Sequence, residues 1–342
     1  MTPDDAVRIA DWLKFRSAAS SVTITDSRSL SGGAIQDNRA MQVHFDGGEL
    51  DGDHALVLRM SNPGMLSASH SKAEEFALLK AAFAAGVSVP QPLYLCEDTT
   101  VLGQPFFVMQ KIDGIAIGAK IVRDASIGGG HASLLRRLAL ELVRIHHIGT
   151  DQTDSDDGLD LKFLGPRPLE PATELIEQYQ SWLDQLAEPH PVLEWGLRWL
   201  RLNVPTAPAT VLCHRDFRTG NYLVDAKTVT GILDWEFAGW GDPAEDVGWL
   251  CCRSWRFGAD QKEAGGIGSR KDFVTAYLEA GGYPMDDARI NYYEVMANIR
   301  WAIIALKQTG RVTSGAESSL ELALIGRRVP EMEFEILRLT GG

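Results

Sequence analysis

Residues 213–236 read Cys-His-Arg-Asp-Phe-Arg-Thr-Gly-Asn-Tyr-Leu-Val-Asp-Ala-Lys-Thr-Val-Thr-Gly-Ile-Leu-Asp-Trp-Glu. The run holds a His-x-Asp-x-x-x-x-Asn pattern (His214, Asp216, Asn221) followed by an apolar segment that ends in Asp234. Phosphoryl transfer from ATP needs a carboxylate to orient the attacking hydroxyl, an amide oxygen on Mg²⁺, and a second carboxylate joining Mg²⁺ to the phosphates. The spacing supplies all three. Four residues between Asp216 and Asn221 let a loop turn both side chains toward one point. Leu223-Val224 and Gly231-Ile232-Leu233 read as short strands joined by a turn at Asp225-Ala226-Lys227, a hairpin that brings Asp234 back beside Asn221.

Composition narrows the class. The 342 residues are enough for two domains or lobes, and 45% hydrophobic with 23% charged residues is ordinary for a globular chain. No apolar run approaches the roughly 20 residues that span a bilayer. The start, Met1-Thr2-Pro3-Asp4-Asp5, is acidic and lacks the basic and apolar regions of a signal peptide. Cys96, Cys213, Cys251 and Cys252 form neither a Cys-x-x-Cys pair nor a zinc spacing, and scattered thiols of this kind fit a reducing cytoplasm. The net charge of -13 argues against a nucleic-acid partner. No membrane partner is expected, and oligomeric state has no signature in the sequence.

The two-part motif of residues 213–236, with His-Arg-Asp-Phe-Arg-x-Gly-Asn and then Leu-Asp-Trp-Glu, resembles the catalytic core of the aminoglycoside phosphotransferase and choline kinase superfamily, relatives of the protein kinases. Within it, the chain is similar to the kinase-like domains associated with acyl-CoA dehydrogenases. The likeness extends from about residue 20 onward, is tight over 213–248, and is loose in the N-terminal part. It implies an α+β, protein-kinase-like two-lobed fold. A small β-rich N-terminal lobe over 1–110 binds nucleotide, and a larger helical lobe over 111–342 carries catalysis and substrate binding. A substrate-side insertion is expected at about 165–205 and a cleft at about residue 112.

The periodicity fits that order. A helix is expected over Asp4–Arg16, strands over Ser20–Leu30, Arg39–Phe45 and Ala55–Met60, a helix over Ser71–Ala85, and a strand at Phe106–Met109. Helices follow over Leu134–Ile148, Ala172–Ala187, Val192–Asn203, Pro243–Ser254, Lys271–Ala280, Asp286–Thr309 and Ser314–Leu339. Thr150–Asp160 reads as an acidic loop.

The resemblance then assigns roles. Ser31, Gly32 and Gly33 match the nucleotide loop, where backbone N–H groups can approach phosphate oxygens. Arg59 stands where a kinase-like lobe has its phosphate lysine, and keeps the positive charge with a forked donor. Its helix partner is Glu75, with Glu74 as the alternative. Gln110 to Ile112 are placed at the adenine edge. Asp216 is the base, with His214 supporting its loop, and Asn221 and Asp234 are the Mg²⁺ ligands. Asp246 braces the catalytic loop through backbone amides, and Asp242 caps the next helix. Glu236 reads either as a third metal-proximal carboxylate or as a helix-start charge. Arg215 and Arg218 either meet an anionic substrate or brace acidic neighbours. Only 12 positions separate Asp234 from Asp246, shorter than a protein-kinase activation segment, and no Ala-Pro-Glu motif follows. A small-molecule hydroxyl is therefore the expected acceptor. Carboxylates at 150–160 with Glu170, Glu174 and Glu177 would suit an aminoglycoside; Arg215, Arg218 or Arg253 with an apolar trough would suit a hydroxyacyl thioester. The rival from another class is a catalytically silent nucleotide-binding module, for which Arg59 is the one supporting feature.

Overall fold

The computed structural model describes residues 2–30, 36–61, 69–149, 161–186, 188–315 and 319–342. The chain divides into two compact units. One comprises Met1–Asp113, a short stretch ending at Phe163, and Trp235–Phe237; the other takes the remainder.

The first unit is built on a five-stranded antiparallel sheet of order β1-β2-β3-β5-β4. Its elements run α1 (Pro3–Ser17), β1 (Ser21–Ser29), β2 (Gln36–Asp46), β3 (Gly52–Ser61), α2 (Lys72–Ala84), β4 (Pro92–Cys96), α3 (Thr99–Leu102) and β5 (Phe106–Gln110). Helix α1 starts where sequence chemistry demands it. Thr2 and Asp5 close a reciprocal capping box ahead of Pro3. Alternation in β2 and β3 turns Met41, Val43, Phe45, Leu56 and Leu58 to one face, where Ile9 and Leu13 of α1 bury them. Strand β4 has no counterpart in the sequence reading. It is five residues long, opens on a proline and lies at the sheet edge, where a missing N–H costs no ladder bond.

The second unit is mostly helical: α4 (Gly118–Arg123), α5 (His131–His146), α6 (Pro171–Leu183), α7 (Pro191–Leu202), α8 (Pro243–Cys251), α9 (Arg270–Glu279), α10 (Asp287–Thr313), α11 (Leu320–Ile325) and α12 (Val329–Thr340). Between α7 and α8 lie β6 (Val211–Cys213), β7 (Tyr222–Val224), β8 (Val229–Ile232) and β9 (Gly239–Gly241). Apolar faces of α6, α7, α10 and α12 share one core around Leu197, Tyr292, Ile299, Ile303 and Ile336. Pro171, Pro191 and Pro243 all stand in first turns, where proline initiates helices. The segment read as one helical stretch over Ser314–Leu339 breaks into α11 and α12 around a 3₁₀ turn at Gly326–Arg328. Pro330 sits in the first turn of α12, where it lacks the N–H a continuous helix would need.

Helix α8 presses close against α10 at Gly248. A Cβ there would meet backbone atoms of Tyr293 and Glu294 at 2.6 and 2.8 Å. Gly248→Ala is expected to force the helices apart and cost about 1–3 kcal/mol, the scale of core overpacking. Urea denaturation checks it; an unchanged midpoint would show that the contact relaxes without cost.

Candidate active site

In the second unit, β6 pairs with β9 through Val211↔Gly241, Leu212↔Trp240 and Cys213↔Gly239. This pairing returns the chain, as it enters α8, to the start of the 214–221 loop. Asp242 caps α8, its carboxylate accepting from Ala244 N at 2.8 Å. The first turn then carries Asp246 to the loop. Asp246 Oδ2 accepts from His214 N and Oδ1 from Arg215 N, each at 2.7 Å. These two bonds hold Arg215 in the left-handed region, at φ 62°, a conformation a non-glycine residue adopts only under constraint.

Asp246 is itself held from α5 and α9. His146 Nε2 lies 3.2 Å from Asp246 Oδ2, and His146 Nδ1 lies 2.7 Å from the Tyr277 hydroxyl. Both contacts are met when Nε2–H donates to the carboxylate and the phenol donates to Nδ1. Burial raises the Asp246 pKa, but the His146 contacts, His214 and the loop amide outweigh it, and the carboxyl ends below its ordinary value. His146, Cys213 and Asp246 offer ligand atoms within 4.8 Å of one another. They form a brace rather than a metal centre, because the imidazole and the carboxylate are committed and burial keeps the Cys213 thiol protonated, well above its ordinary pKa.

His214 is fully buried, and burial lowers its pKa, so the ring stays neutral. Its Nδ1 accepts from Asp216 N at 3.2 Å. Asp216 receives three side-chain donors. Arg218 Nε at 3.0 Å and Trp249 Nε1 at 2.9 Å meet Oδ1, and Asn221 Nδ2 meets Oδ2. Between them, Gly220 takes φ 110°, and a Cβ there would come within 2.9 Å of the Arg218 guanidinium.

The hairpin is β7 against β8, with Tyr222↔Ile232 and Leu223↔Gly231 in register. Asp225 Oδ1 accepts from Lys227 N and Thr228 N, each at 2.7 Å, and so shapes the turn. Leu233 N donates to Asn221 O at 2.9 Å, which brings Asp234 beside Asn221. Asp234 too is held at positive φ, 63°. Asn221 spends its amide nitrogen on Asp216, so its side-chain oxygen is the atom left for a cation. An amide oxygen beside a carboxylate is an oxygen-only donor set, which fits Mg²⁺.

In the first unit, Arg59 on β3 forms a buried ion pair with Glu75 Oε1 on α2 at 2.6 Å. Glu74 is used elsewhere. It closes the α2 capping box, accepting from Ser71 N at 2.8 Å. Lys72 Nζ bonds the other Glu75 oxygen. Burial raises the Glu75 pKa, but Arg59 and Lys72 outweigh it and leave it lowered. The stability this contributes is present above the ordinary carboxylate range and is lost as pH falls. Gln110 ends β5, its N–H bonded to Gln91 O, and Ile112 follows Lys111, whose N–H bonds Ala55 O. Glu236 is buried, and its carbonyl accepts from His70 N at 2.9 Å. Ser31, Gly32, Gly33 and the 150–160 segment lie outside the described residues.

A profile described as the phosphotransferase enzyme family matches residues 28–285. The chain belongs to this phosphotransferase family. Acyl-CoA dehydrogenase family member 10 of Mus musculus is 31% identical, over 82% of this chain and 27% of that protein. Family member 11 of Homo sapiens is 27% identical, over 84% of this chain and 38% of that protein. The chain thus spans well under half the length of either relative. Among solved structures, a Ralstonia eutropha protein whose assignment as an aminoglycoside phosphotransferase is itself provisional superposes with a TM-score of 0.73, at 21% identity over 98% of both chains. A thermostable mutant of aminoglycoside phosphotransferase APH(4)-Ia, solved with AMP-PNP and hygromycin B, gives 0.62 at 16% identity, over 96% of this chain and 99% of that one. These likenesses show the kinase-like α+β fold.

For this family member, the two arginines of the 214–221 loop take different partners. Arg215 has Nε 3.1 Å from Glu245 and a terminal nitrogen donating to Trp240 O at 2.7 Å, and about as much of its side chain is exposed as that of Arg218. Arg218 keeps a quarter of its side chain exposed and lies 4.3 Å over the Trp255 ring. Glu170, Glu174 and Glu177 are exposed. Sequence reasoning did not find Lys72, Trp249 or the His146–Tyr277 brace. Trp249 had one local signal, since it stands three residues after Asp246 and so shares its helix face.

Proposed function

We propose that the chain is an ATP- and Mg²⁺-dependent O-phosphotransferase that acts on a small-molecule hydroxyl. The convergence of Asp216, Asn221 and Asp234 through one loop and one hairpin carries this reading. Asp216 orients the acceptor hydroxyl and takes its proton. The hydroxyl oxygen bonds to the γ-phosphorus as the bridging P–O bond breaks, and ADP departs. Asn221 and Asp234 hold Mg²⁺, which offsets charge on the phosphate oxygens. Arg59 and the Ser31–Gly33 loop hold the phosphates, and Gln110 to Ile112 meet the adenine edge. Catalysis is then mostly positioning and electrostatic stabilisation.

A neutral or anionic alcohol is the favoured acceptor, a hydroxyacyl thioester among them. The positive charge of Arg218, a quarter exposed beside the base, supports this, because a polycation gains nothing from it. Similarity to proteins named as acyl-CoA dehydrogenase family members supports it too. The test compares kcat/KM for hydroxyacyl-CoA thioesters and for kanamycin-like amines with Mg²⁺-ATP. Efficient turnover of the amines by the wild type overturns the acceptor preference. ATP binding without transfer to any alcohol leaves the silent nucleotide-binding module instead.

Metal dependence gives a separate expectation. Asp234→Asn should weaken nucleotide binding in the presence of Mg²⁺ and leave metal-free binding as it was. Titration calorimetry with and without EDTA reads both. Equal ATP affinity with and without Mg²⁺ in wild type and variant removes Asn221 and Asp234 as the ligand pair.

A further inference from the structure

Asp216 is held by more than its own loop. A carboxylate has about four lone-pair positions, two on each oxygen. Oδ1 receives the Arg218 Nε–H and the Trp249 Nε1–H, so both of its positions are taken. Oδ2 receives one donor, the Asn221 amide. The two groups on Oδ1 are themselves fixed. The Trp249 ring lies 5.4 Å from Trp255 and 4.6 Å beneath the Arg300 guanidinium, and Arg218 covers the other end of this stack on Trp255. Arg300 also donates to the Arg215 carbonyl. Two adjacent indoles flanked by two guanidinium groups thus tie α8, the 253–255 turn and α10 to one carboxylate oxygen.

From this geometry we infer that Trp249 is a positioning residue for Asp216, that Arg218 completes the clamp, and that the acceptor hydroxyl meets Oδ2. The inference rests on the phosphotransfer reading for its consequence in turnover, but the contact itself can be read without any substrate. A stacked indole stores orientation at low entropic cost, since two side-chain torsions fix it. Its N–H on a charged acceptor is a strong hydrogen bond. The clamp sets the plane of the carboxylate before the acceptor arrives, and preorganised geometry of this kind acts on the chemical step more than on nucleotide affinity.

The test uses the full chain in two measurements. Indole N–H resonances of the nine tryptophans are recorded with ¹⁵N-labelled tryptophan. Trp249→Phe deletes one resonance and so assigns it. Asp216→Ala is expected to move that resonance upfield as the charged acceptor is lost; a resonance that stays in place overturns the clamp. The second measurement is Mg²⁺-ATP hydrolysis with water as acceptor. Trp249→Phe keeps the stacked ring and loses the donor, so kcat should fall roughly 10- to 100-fold with KM for ATP unchanged. Arg218→Met, on a part-exposed side chain, should act in the same direction, and serves if Trp249→Phe does not fold. Wild-type kcat in both variants, or a loss confined to KM, refutes the positioning role. If wild type neither hydrolyses nor transfers phosphate, the phosphotransfer reading fails, and the resonance shift alone decides whether the clamp exists.

Discussion

Asp216→Ala is expected to lower turnover by roughly 10²- to 10⁴-fold, the scale of a positioned acid–base group, while ATP still binds. The carboxylate is the one group that a hydroxyl acceptor requires and a nucleotide alone does not. Steady-state kinetics with the acceptor found in the screen give kcat, and calorimetry gives the ATP affinity. Asp216→Asn separates two contributions, since the amide keeps one oxygen for Trp249 and Arg218 but cannot take a proton. Turnover near wild type in both variants would sink the assignment of the base.

The largest stability effect is expected at Asp246. Its carboxylate is fully buried, accepts two backbone amides and meets His146. Truncation to alanine leaves the His214 and Arg215 N–H groups and a buried imidazole without their acceptor. Breaking a buried hydrogen-bonded charge network from one side costs about 3–5 kcal/mol. Arg215 would also lose what holds it at positive φ, so the loop should relax and activity should fall with stability. Chemical denaturation of Asp246→Ala and Asp246→Asn measures this. The asparagine variant retains one acceptor oxygen and should recover part of the loss. A midpoint shift below that for Gly248→Ala would show that water or a neighbouring group replaces the carboxylate.

Several features were legible because their causes are local. The β7–β8 hairpin follows from two short apolar runs around an Asp-led turn, and its register brings Asp234 to Asn221. Asp242 ahead of Pro243 marks a helix start, and Ser71-x-x-Glu74 spells the capping box that removes Glu74 from competition for Arg59. That last pattern stood in the sequence, and reading it decides between Glu74 and Glu75 without coordinates. The break between α11 and α12 was also marked, by Gly326 and Pro330.

Other features have no local cause. His146 reaches Asp246 across 100 residues and Tyr277 across 131, and Trp249 reaches Asp216 across 33. A histidine, tyrosine or tryptophan on an apolar helix face has the same periodicity whether it packs or donates a hydrogen bond. Only the packing of α5, α8 and α9 around one loop distinguishes the two. The fates of Arg215 and Arg218 separate for the same reason. Three positions apart and chemically identical, one is taken up by Glu245 and the Trp240 carbonyl, and the other by Asp216 and Trp255. The sequence by itself determined the loop-and-hairpin core and the residue types a phosphoryl-transfer site needs, since turns, caps and alternation act over a few residues, whereas the fold class followed from the family resemblance that the 213–236 motif carries. Which buried partners orient those residues was decided by tertiary structure alone, because hydrogen bonds between distant elements depend on where helices pack and leave no mark on spacing.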